Sequence, residues 1–328
     1  MNLVTPLTFQ PFLMERLWGG RQMETILNIS LPPTGTIGEL WAIVDRPETQ
    51  SIVKEGPFRG KTIHELWVEY RTSIFGSSRV ADPSPRFPLL CKILDATETL
   101  SVQVHPPETQ AALLGGESKT ECWYLLHTQP GAILYAGLRR GVTQEVFRNA
   151  LKTGSIESLL YTLPVKNNDS MFIPSGRLHA IGKGILLVEI QQNSDTTYRV
   201  FDWNRRDAQG HLRPLHIEES MTSIDFSDYE PTLNDKASGI IANSPYFRVE
   251  KWNLDTPRLA IEPNDFGIFT CLTGSITCAH QTYRPGDFFL VPASMKTVQL
   301  LPCERGTTVL RTRLQATSIK KQVRSVAP

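Results

Sequence analysis

The sequence predicts a mainly β protein of two related lobes, each a β-barrel or β-sandwich, with a few short helices. Short apolar segments bounded by glycine, proline and polar turns follow one another along the chain, as they do in antiparallel β proteins. The length of 328 residues exceeds the roughly 100 to 200 residues that are usual for a single domain. A pattern of strand, turn and strand also occurs twice, as Asp169-x4-Pro174-x-Gly176-x2-His179 and as Asp287-x4-Pro292-x-Ser294-x2-Thr297.

The second copy of this pattern differs from the first at two of its positions. Ser294 stands in place of Gly176, and Thr297 stands in place of His179. Because the second copy has no histidine at this position, we expect it to have lost the side chains that could bind a metal ion, which the first copy retains. The first lobe is therefore expected to carry the chemistry.

The early part of the chain alternates strands with one short helix. Residues 38–44 and 87–95 have the apolar character of strands. Between them, residues 62–70 have helical spacing, and Thr62 is a suitable N-cap. This order is typical of an antiparallel β protein that carries helices at its edges.

The longest helical segment covers residues 142–160. Thr143 is its candidate cap and Gly154 its break. Three apolar side chains of this segment are expected in the core: Val146, Phe147 and Leu151.

The boundary between the lobes is expected near residues 228–244, where a polar segment containing Pro231 has the character of a linker. We predict a catalytic lobe at residues 1–235, with N-terminal strands and a helical segment, and a second lobe without ligands at residues 236–316. Residues 317–328 are basic and are expected to form a frayed tail.

Composition excludes several classes of partner. The chain has 34 lysines and arginines against 33 aspartates and glutamates, so its net field would not attract nucleic acid or an anionic membrane. It shows no secretory signal and no apolar run of about 18 residues, so a cytoplasmic protein with a small-molecule partner is expected. The sequence does not indicate the oligomeric state.

Cysteine usage fits a reducing compartment. The five cysteines form no CxxC pair, so we expect reduced thiols. A structural zinc site on Cys271, Cys278 and Cys303 is not expected, because the spacing typical of such sites is missing.

The segment Ser101-Val102-Gln103-Val104-His105-Pro106 alternates as a strand does. Side chains in a strand point to opposite faces with a period of two, so Gln103 and His105 project together while the valines pack behind them. Two side chains that can bind a metal ion therefore lie on one face.

Two more candidate ligands lie on later strand-like segments. Glu121 begins an apolar and aromatic run, and His179 follows a turn marked by Pro174 and Gly176. A lone histidine on an apolar strand is more often a core residue than a ligand. The combination of two imidazoles, one carboxylate and one amide oxygen nevertheless suits Zn²⁺, and it also suits Fe²⁺, Mn²⁺, Ni²⁺ or Co²⁺.

Lys92 is a charge inside the otherwise apolar strand of residues 87–95. A long side chain can extend from such a position to solvent. If it points inward beside the metal, it offers a cation to an anionic substrate.

Four segments together resemble the type I mannose-6-phosphate isomerases, a bicupin family. The segments are Leu100-Ser101-Val102-Gln103-Val104-His105-Pro106, Lys119-Thr120-Glu121, Pro174-x-Gly176-x2-His179-Ala180 and Glu189-Ile190-Gln191-Gln192-Asn193-Ser194-Asp195-x3-Arg199. Two early segments agree as well: Trp18-Gly19-Gly20 and Gly38-Glu39-Leu40-Trp41. The resemblance covers about residues 5–312, and the length resembles that of the compact bacterial form.

The resemblance implies two cupin-type jelly-roll lobes and one Zn²⁺ per chain. It implies a metal-binding set of Gln103, His105, Glu121 and His179. It also implies interconversion of mannose 6-phosphate and fructose 6-phosphate through a cis-enediol, with Arg199 as a catalytic arginine. Three further residues match family positions that hold substrate or move protons: Lys92, Lys119 and Asp195.

Some questions stay open at the level of sequence. The proton-transfer base is one of Asp195, Lys119, Glu189 or a metal-bound water, and we rank the first two ahead. A non-catalytic sugar-phosphate-binding cupin and an Fe²⁺-dependent cupin oxygenase are the alternative functions. Gln103 and the lysines argue against the oxygenase, since such an enzyme has no evident need for cations that bind phosphate.

Overall fold

A computed structural model of the protein describes residues 5–206 and 210–315. The first set of strands is β1 (Phe12–Gly20), β2 (Ile37–Ile43), β3 (Leu89–Ala96), β4 (Val102–Val104), β5 (Glu121–Thr128), β6 (Ile133–Leu138), β7 (Leu160–Pro164), β8 (Ser170–Ile173), β9 (His179–Ile181), β10 (Ile185–Gln192) and β11 (Tyr198–Phe201). The second set is β12 (Ile240–Asn243), β13 (Phe247–Leu254), β14 (Arg258–Leu259), β15 (Gly267–Thr273), β16 (Ile276–Cys278), β17 (Gln281–Tyr283), β18 (Phe288–Val291), β19 (Gln299–Pro302) and β20 (Thr307–Leu314).

The helices are short and lie between the strands. They are α1 (Gln22–Leu27), α2 (Ile63–Glu69), α3 (Arg71–Phe75), α4 (Glu108–Ala111), α5 (Gln144–Thr153) and α6 (Ile217–Ser223). Four 3-10 helices cover Ser77–Arg79, Ala112–Leu114, Ile156–Leu159 and Lys236–Ser238. In the described part of the chain, no helix is both long and apolar enough to span a membrane.

The strands form two pairs of antiparallel sheets. The first pair has the orders β1-β2-β3-β10-β5-β8 and β11-β4-β9-β6-β7, and the second has β12-β13-β20-β15-β18 and β14-β19-β16-β17. The mainly β prediction is therefore confirmed, and among the described strands no sheet closes into a barrel. Strands up to Phe201 and strands from Ile240 onward belong to different sheets. The proposed boundary at residues 235 and 236 stays a prediction, and the predicted tail at 317–328 lies outside the described residues.

The six-stranded sheet is buried on both faces, which explains why β3 and β10 are almost continuously apolar. One face contributes Ile93 and Val188 to a cluster of buried side chains that also contains Phe266 and Phe269 from the second pair of sheets. The other face contributes Leu94 and other residues to a separate core inside the first pair. The two lobes therefore share one apolar core behind the sheet that carries the site.

Both predicted helices begin at their predicted caps, but α5 is shorter than the predicted segment 142–160, since it ends at the predicted break and β7 begins at Leu160. Thr62 caps α2 through a capping box with Glu65, and Thr143 caps α5, which ends at Gly154 in the left-handed conformation. The predicted core position of Val146 is wrong, since its side chain is 44% exposed, whereas Phe147 is fully buried. Val146 lies in the first turn of α5, on the side of the helix that faces solvent.

Candidate metal centre

Three of the predicted site residues lie in one row across the five-stranded sheet. Arg199 on β11 pairs with Gln103 on β4, and Gln103 pairs with His179 on β9. Side chains of directly paired residues project from the same face of a sheet. The sheet therefore directs the guanidinium, the amide and the imidazole to the space in front of the six-stranded sheet.

The six-stranded sheet presents a matching row from the other side. Lys92 on β3 pairs with Glu189 on β10, which pairs with Trp123 on β5. The Trp123 ring lies 5.4 Å from the ring of His179, so the two rows face each other. Glu121 is two residues before Trp123 on the same strand and shares its face. The inward faces of the two sheets thus enclose the predicted ligands.

His105, Glu121 and His179 form a compact buried triangle. Their ligand atoms all lie within 4.8 Å of one another. The carboxylate oxygens of Glu121 lie 3.5 Å from Nε2 of His105 and 3.4 Å from Nε2 of His179. None of the three residues is more than 1% exposed. Separations of this size suit a single ion bound by all three side chains.

Backbone carbonyl groups fix the orientation of both rings. Nδ1 of His105 lies 2.9 Å from the carbonyl oxygen of Thr196, and Nδ1 of His179 lies 2.9 Å from that of Arg177. A proton on each Nδ1 would be donated to the carbonyl, which leaves each Nε2 unprotonated and directed toward Glu121. This is the arrangement that metal-binding histidines use.

Gln103 lies at the edge of the triangle. Its side-chain nitrogen is 3.4 Å from Nε2 of His179, and its side chain is partly exposed. Because the amide oxygen and nitrogen exchange places by a flip of the group, the oxygen can occupy the same position. The residue therefore fits the predicted role of a fourth ligand at the more open side.

Lys119 supplies a positive charge in the triangle. Its ammonium group donates a hydrogen bond to Oε2 of Glu121 and lies 3.1 Å from Nε2 of His105. It lies 3.4 Å from Oε1 of Glu189 and is only 4% exposed. The oxygen and nitrogen atoms that surround this ammonium group could also surround a metal cation. The residues present therefore fit a divalent ion.

The electrostatics keep the ligands in the form that binds metal. Burial lowers the pKa of His179 to about 3 and also lowers the pKa of His105, so both rings are neutral at pH 7. Burial acts to raise the pKa of Glu121, but the ammonium group of Lys119 beside it holds this pKa well below its usual value. Neutral imidazoles and an ionised carboxylate are the ligand forms that metal ions require.

A chain of buried charges leads from the triangle to the surface. Lys92 lies 3.1 Å from Glu189 and 3.7 Å from Glu39, and it is 6% exposed, so it points inward and not to solvent. Glu39 in turn accepts hydrogen bonds from Trp41 and Arg16. Sequence reasoning missed the part played by Glu39. The available signal was the acidic Glu39 inside the otherwise apolar strand segment of residues 38–44.

Arg199 and Asp195 are more exposed than the three residues of the triangle. The guanidinium of Arg199 is partly exposed and donates from Nη1 to the carbonyl of Pro214 at 2.8 Å. Its buried Nε has no hydrogen-bond partner among residues 5–206 and 210–315. Asp195 is exposed. Strand pairing places Arg199 beside Gln103 in the same sheet row, next to the candidate ligands.

Residues 7–141 match the family described as phosphomannose isomerase type I, catalytic domain. A mannose-6-phosphate isomerase from Streptococcus mutans is 37% identical over 308 residues, which is 90% of this chain and 95% of that protein. The chain belongs to the type I phosphomannose isomerase family. The family identified from the sequence is thus confirmed, and with it the class of enzyme, an aldose-ketose isomerase.

Two further similarities cover nearly the whole chain. The mannose-6-phosphate isomerase ManA from Bacillus subtilis is 37% identical over 300 residues, or 88% of this chain and 93% of that protein. The crystal structure of the mannose 6-phosphate isomerase from Bacillus subtilis superposes with a TM-score of 0.82 at 31% identity, covering 94% of this chain and 99% of that chain. The similarity to these mannose-6-phosphate isomerases therefore extends over both pairs of sheets. The roles of the individual site residues stay predictions.

Proposed function

We propose that the protein is a zinc-dependent isomerase that interconverts mannose 6-phosphate and fructose 6-phosphate through a cis-enediol. The observation that carries this proposal is the buried triangle of His105, Glu121 and His179 with the ammonium group of Lys119 beside it. The mannose-6-phosphate isomerases of Streptococcus mutans and Bacillus subtilis support the choice of substrate.

One Zn²⁺ would be held by four side chains: Gln103, His105, Glu121 and His179. When bound, it supplies a Lewis acid that polarises the carbonyl and hydroxyl oxygens of the sugar. Two imidazoles, a carboxylate and an amide oxygen are within the ligand preferences of zinc.

The cations of the site have distinct parts in this proposal. Arg199 keeps its charge at any working pH and lies beside Gln103 in the same sheet row, so it stabilises the negative charge of the enediolate and holds the substrate. Lys119 lies at the triangle itself and contacts the substrate there. Lys92 is a proposed substrate-site residue that lies one contact further away, because Glu189 stands between it and Lys119.

The chain must also move a proton between C2 and C1 of the sugar. Asp195 and Lys119 are the proposed groups for this transfer. Asp195 is exposed and its charge acts on Lys92, and Lys119 is adjacent to the ligands. A positioned acid or base typically contributes about 10²- to 10⁴-fold to the rate.

The test of the function is an assay with controlled metal. Purified protein is assayed for conversion of mannose 6-phosphate before chelation, after chelation, and after addition of zinc or iron. We expect loss of activity on chelation and recovery with zinc. Binding of the sugar phosphate without turnover would support the non-catalytic alternative, and oxygen uptake that requires iron would support the oxygenase. Either result would overturn the proposal.

The proton-transfer assignment has its own test. We expect Asp195→Asn to lower kcat at least about 10²-fold while zinc content is unchanged. The matched control is Asp255→Asn, which alters an exposed aspartate of the second pair of sheets. Near-normal turnover in Asp195→Asn would remove Asp195 from the mechanism and leave Lys119, Glu189 and a metal-bound water as candidates.

A further inference from the structure

The strand pairing makes the two lobes comparable residue by residue. The orders β2-β3-β10-β5-β8 and β12-β13-β20-β15-β18 correspond, and the repeated proline follows β8 in one lobe and β18 in the other. Ile173 of β8 pairs with Glu121, whereas the corresponding Val291 of β18 pairs with Gly267. The second lobe therefore has a glycine where the first has its carboxylate ligand.

Two residues further along these strands, the second lobe has an ion pair of reversed polarity. In the first lobe, Trp123 pairs with Glu189, which pairs with Lys92. In the second, Phe269 pairs with Arg311, which pairs with Glu250. A guanidinium thus occupies the position of a carboxylate, and a carboxylate occupies that of an ammonium. The interior of the second lobe presents positive charge where the first lobe presents negative charge.

Arg311 faces the interior of its lobe. The directly paired Phe269 and Phe289 share its face, and Phe289 stacks at 3.7 Å on Tyr283 of the opposing four-stranded sheet. Arg311 is 4% exposed, and Nη1 lies 3.5 Å from Glu250. Its Nε and Nη2 are buried and have no hydrogen-bond partner within residues 5–206 and 210–315. A buried N–H group without an acceptor costs about 1 to 3 kcal/mol, so the structure favours an acceptor at this point.

Two more arginines surround this position. Arg313 is two residues further along the same face of β20, and its buried Nε also lacks a partner among the described residues. Arg258 of the four-stranded sheet stacks on Trp252 at 3.6 Å, and Arg311 lies 5.0 Å from the same ring. The indole therefore holds guanidinium groups from both sheets near one another.

A carboxylate lies across two of these arginines. Glu262 contacts Nη1 of Arg313 at 2.9 Å through both oxygens, and Nη1 of Arg311 at 3.3 Å. Its side chain is 58% exposed, so solvent competes for it and it can leave at little cost. The Glu262 carboxylate therefore contacts the two arginines as a bound oxyanion would, and its exposure allows it to be displaced.

We propose that the second lobe binds a phosphate group, free or carried by a small metabolite, on Arg311 and Arg313 in exchange for the Glu262 carboxylate. A phosphate oxygen can accept hydrogen bonds from the Nε and Nη2 groups of Arg311. The Glu262 carboxylate contacts Nη1 and leaves those two groups without a partner. The planar guanidinium suits this binding because it donates two parallel hydrogen bonds to a phosphate. The site lies in the lobe that lacks the metal ligands and is separate from the candidate metal centre.

The test measures binding of labelled inorganic phosphate to the full-length zinc-loaded protein by equilibrium dialysis. We expect Arg311→Lys to weaken one phosphate site per chain by at least about tenfold, because lysine keeps the charge but lacks the guanidinium fork. We expect Glu262→Gln to tighten the same site about fivefold, because it removes the competing charge. Arg284→Gln, an exposed arginine of the second lobe, is the matched control and should change neither value.

The outcomes separate the proposal from its alternatives. Equal phosphate binding in wild type and Arg311→Lys means that the buried N–H groups bond to water, and it overturns the proposal. If Arg311→Lys does not fold, Glu262→Gln decides alone, and unchanged affinity in that variant overturns the proposal. A parallel dialysis with labelled glucose 6-phosphate shows whether the site prefers a phosphosugar to free phosphate. Mannose 6-phosphate turnover should be retained in both variants, so a failure of the proposed function is seen separately.

Discussion

The side-chain nitrogen of Lys119 lies 3.1 Å from Nε2 of His105, the ring nitrogen that the contact between Nδ1 and the Thr196 carbonyl leaves available for a metal ion. Lys119 also donates to Glu121, so it uses two of the atoms that a divalent ion would use. The ammonium group and the ion therefore compete for the same two atoms, Nε2 of His105 and Oε2 of Glu121. Lys119 neutralises Glu121 when no ion is bound. Lys119 therefore has a structural role that is separable from its proposed catalytic role.

Replacing Lys119 with methionine tests this competition. Without metal, Glu121 then loses its cation in a site where it is 1% exposed, and removing one partner of a buried ion pair typically costs about 3 to 5 kcal/mol. We expect metal-free Lys119→Met to be destabilised by this amount and to gain more stability from zinc than wild type does. Chemical denaturation with and without zinc measures both quantities. The control is Lys152→Met on the exposed side of α5, and equal stability of the two metal-free variants would contradict the prediction.

The pair of Lys92 and Glu189 is also expected to be strongly coupled. Their charged atoms are 3.1 Å apart, and both residues are almost fully buried. Lys92→Met leaves Glu189 without its nearest cation and should cost about 3 to 5 kcal/mol, whereas Lys92→Met with Glu189→Gln should recover much of that loss. Unfolding free energies of the two single variants and the double variant give the coupling. Additive losses in the double variant would show that the two residues do not act as a pair.

Features of the site that depend on residues close together in the chain were predictable, whereas contacts between distant strands were not. The shared face of Gln103 and His105 follows from the period of a strand, and the caps of α2 and α5 follow from local hydrogen bonding, so these features were predictable. The pairing of Lys92 with Glu189 joins strands far apart in the chain. No periodicity within either strand encodes that register, and for this reason the sequence left two orientations open for Lys92.

The same lack of information about strand register explains why the charge exchange in the second lobe was not predicted. The repeat predicted that Thr297 replaces His179, because both positions lie at a fixed distance from a proline. The exchange of Glu189 for Arg311 lies on strands β10 and β20, outside the repeated pattern. It became visible only when the pairing of each strand with its neighbour was known.

Metal content offers a direct test of the ligand set. We expect Glu121→Gln to lower the zinc content of purified protein by at least about tenfold, because a neutral amide replaces the one carboxylate of the triangle. Elemental analysis of dialysed protein measures this content. Glu117→Gln is the matched control, since Glu117 is four residues away and its side chain is 52% exposed. Full zinc occupancy in Glu121→Gln would exclude Glu121 as a ligand.

The two buried histidines should make the metal-free protein sensitive to acid. The pKa of His179 is about 3 in the folded protein because of burial, against about 6.5 in an unfolded chain. Between these values the unfolded state binds a proton that the folded state does not, so stability falls as pH falls from 6.5 toward 3. The slope is at most about 1.4 kcal/mol per pH unit for each ring. Above pH 6.5 this contribution is fully present and constant.

His179→Asn removes one of the two rings and should reduce this slope. We expect the unfolding free energy of metal-free wild type to fall between pH 6.5 and 5 by up to about 1.4 kcal/mol per pH unit more than that of the variant. Urea denaturation at several pH values gives the slopes, and comparing slopes removes any constant cost of the substitution. A wild-type slope in His179→Asn would show that the His179 ring does not stay neutral in the folded protein over this range.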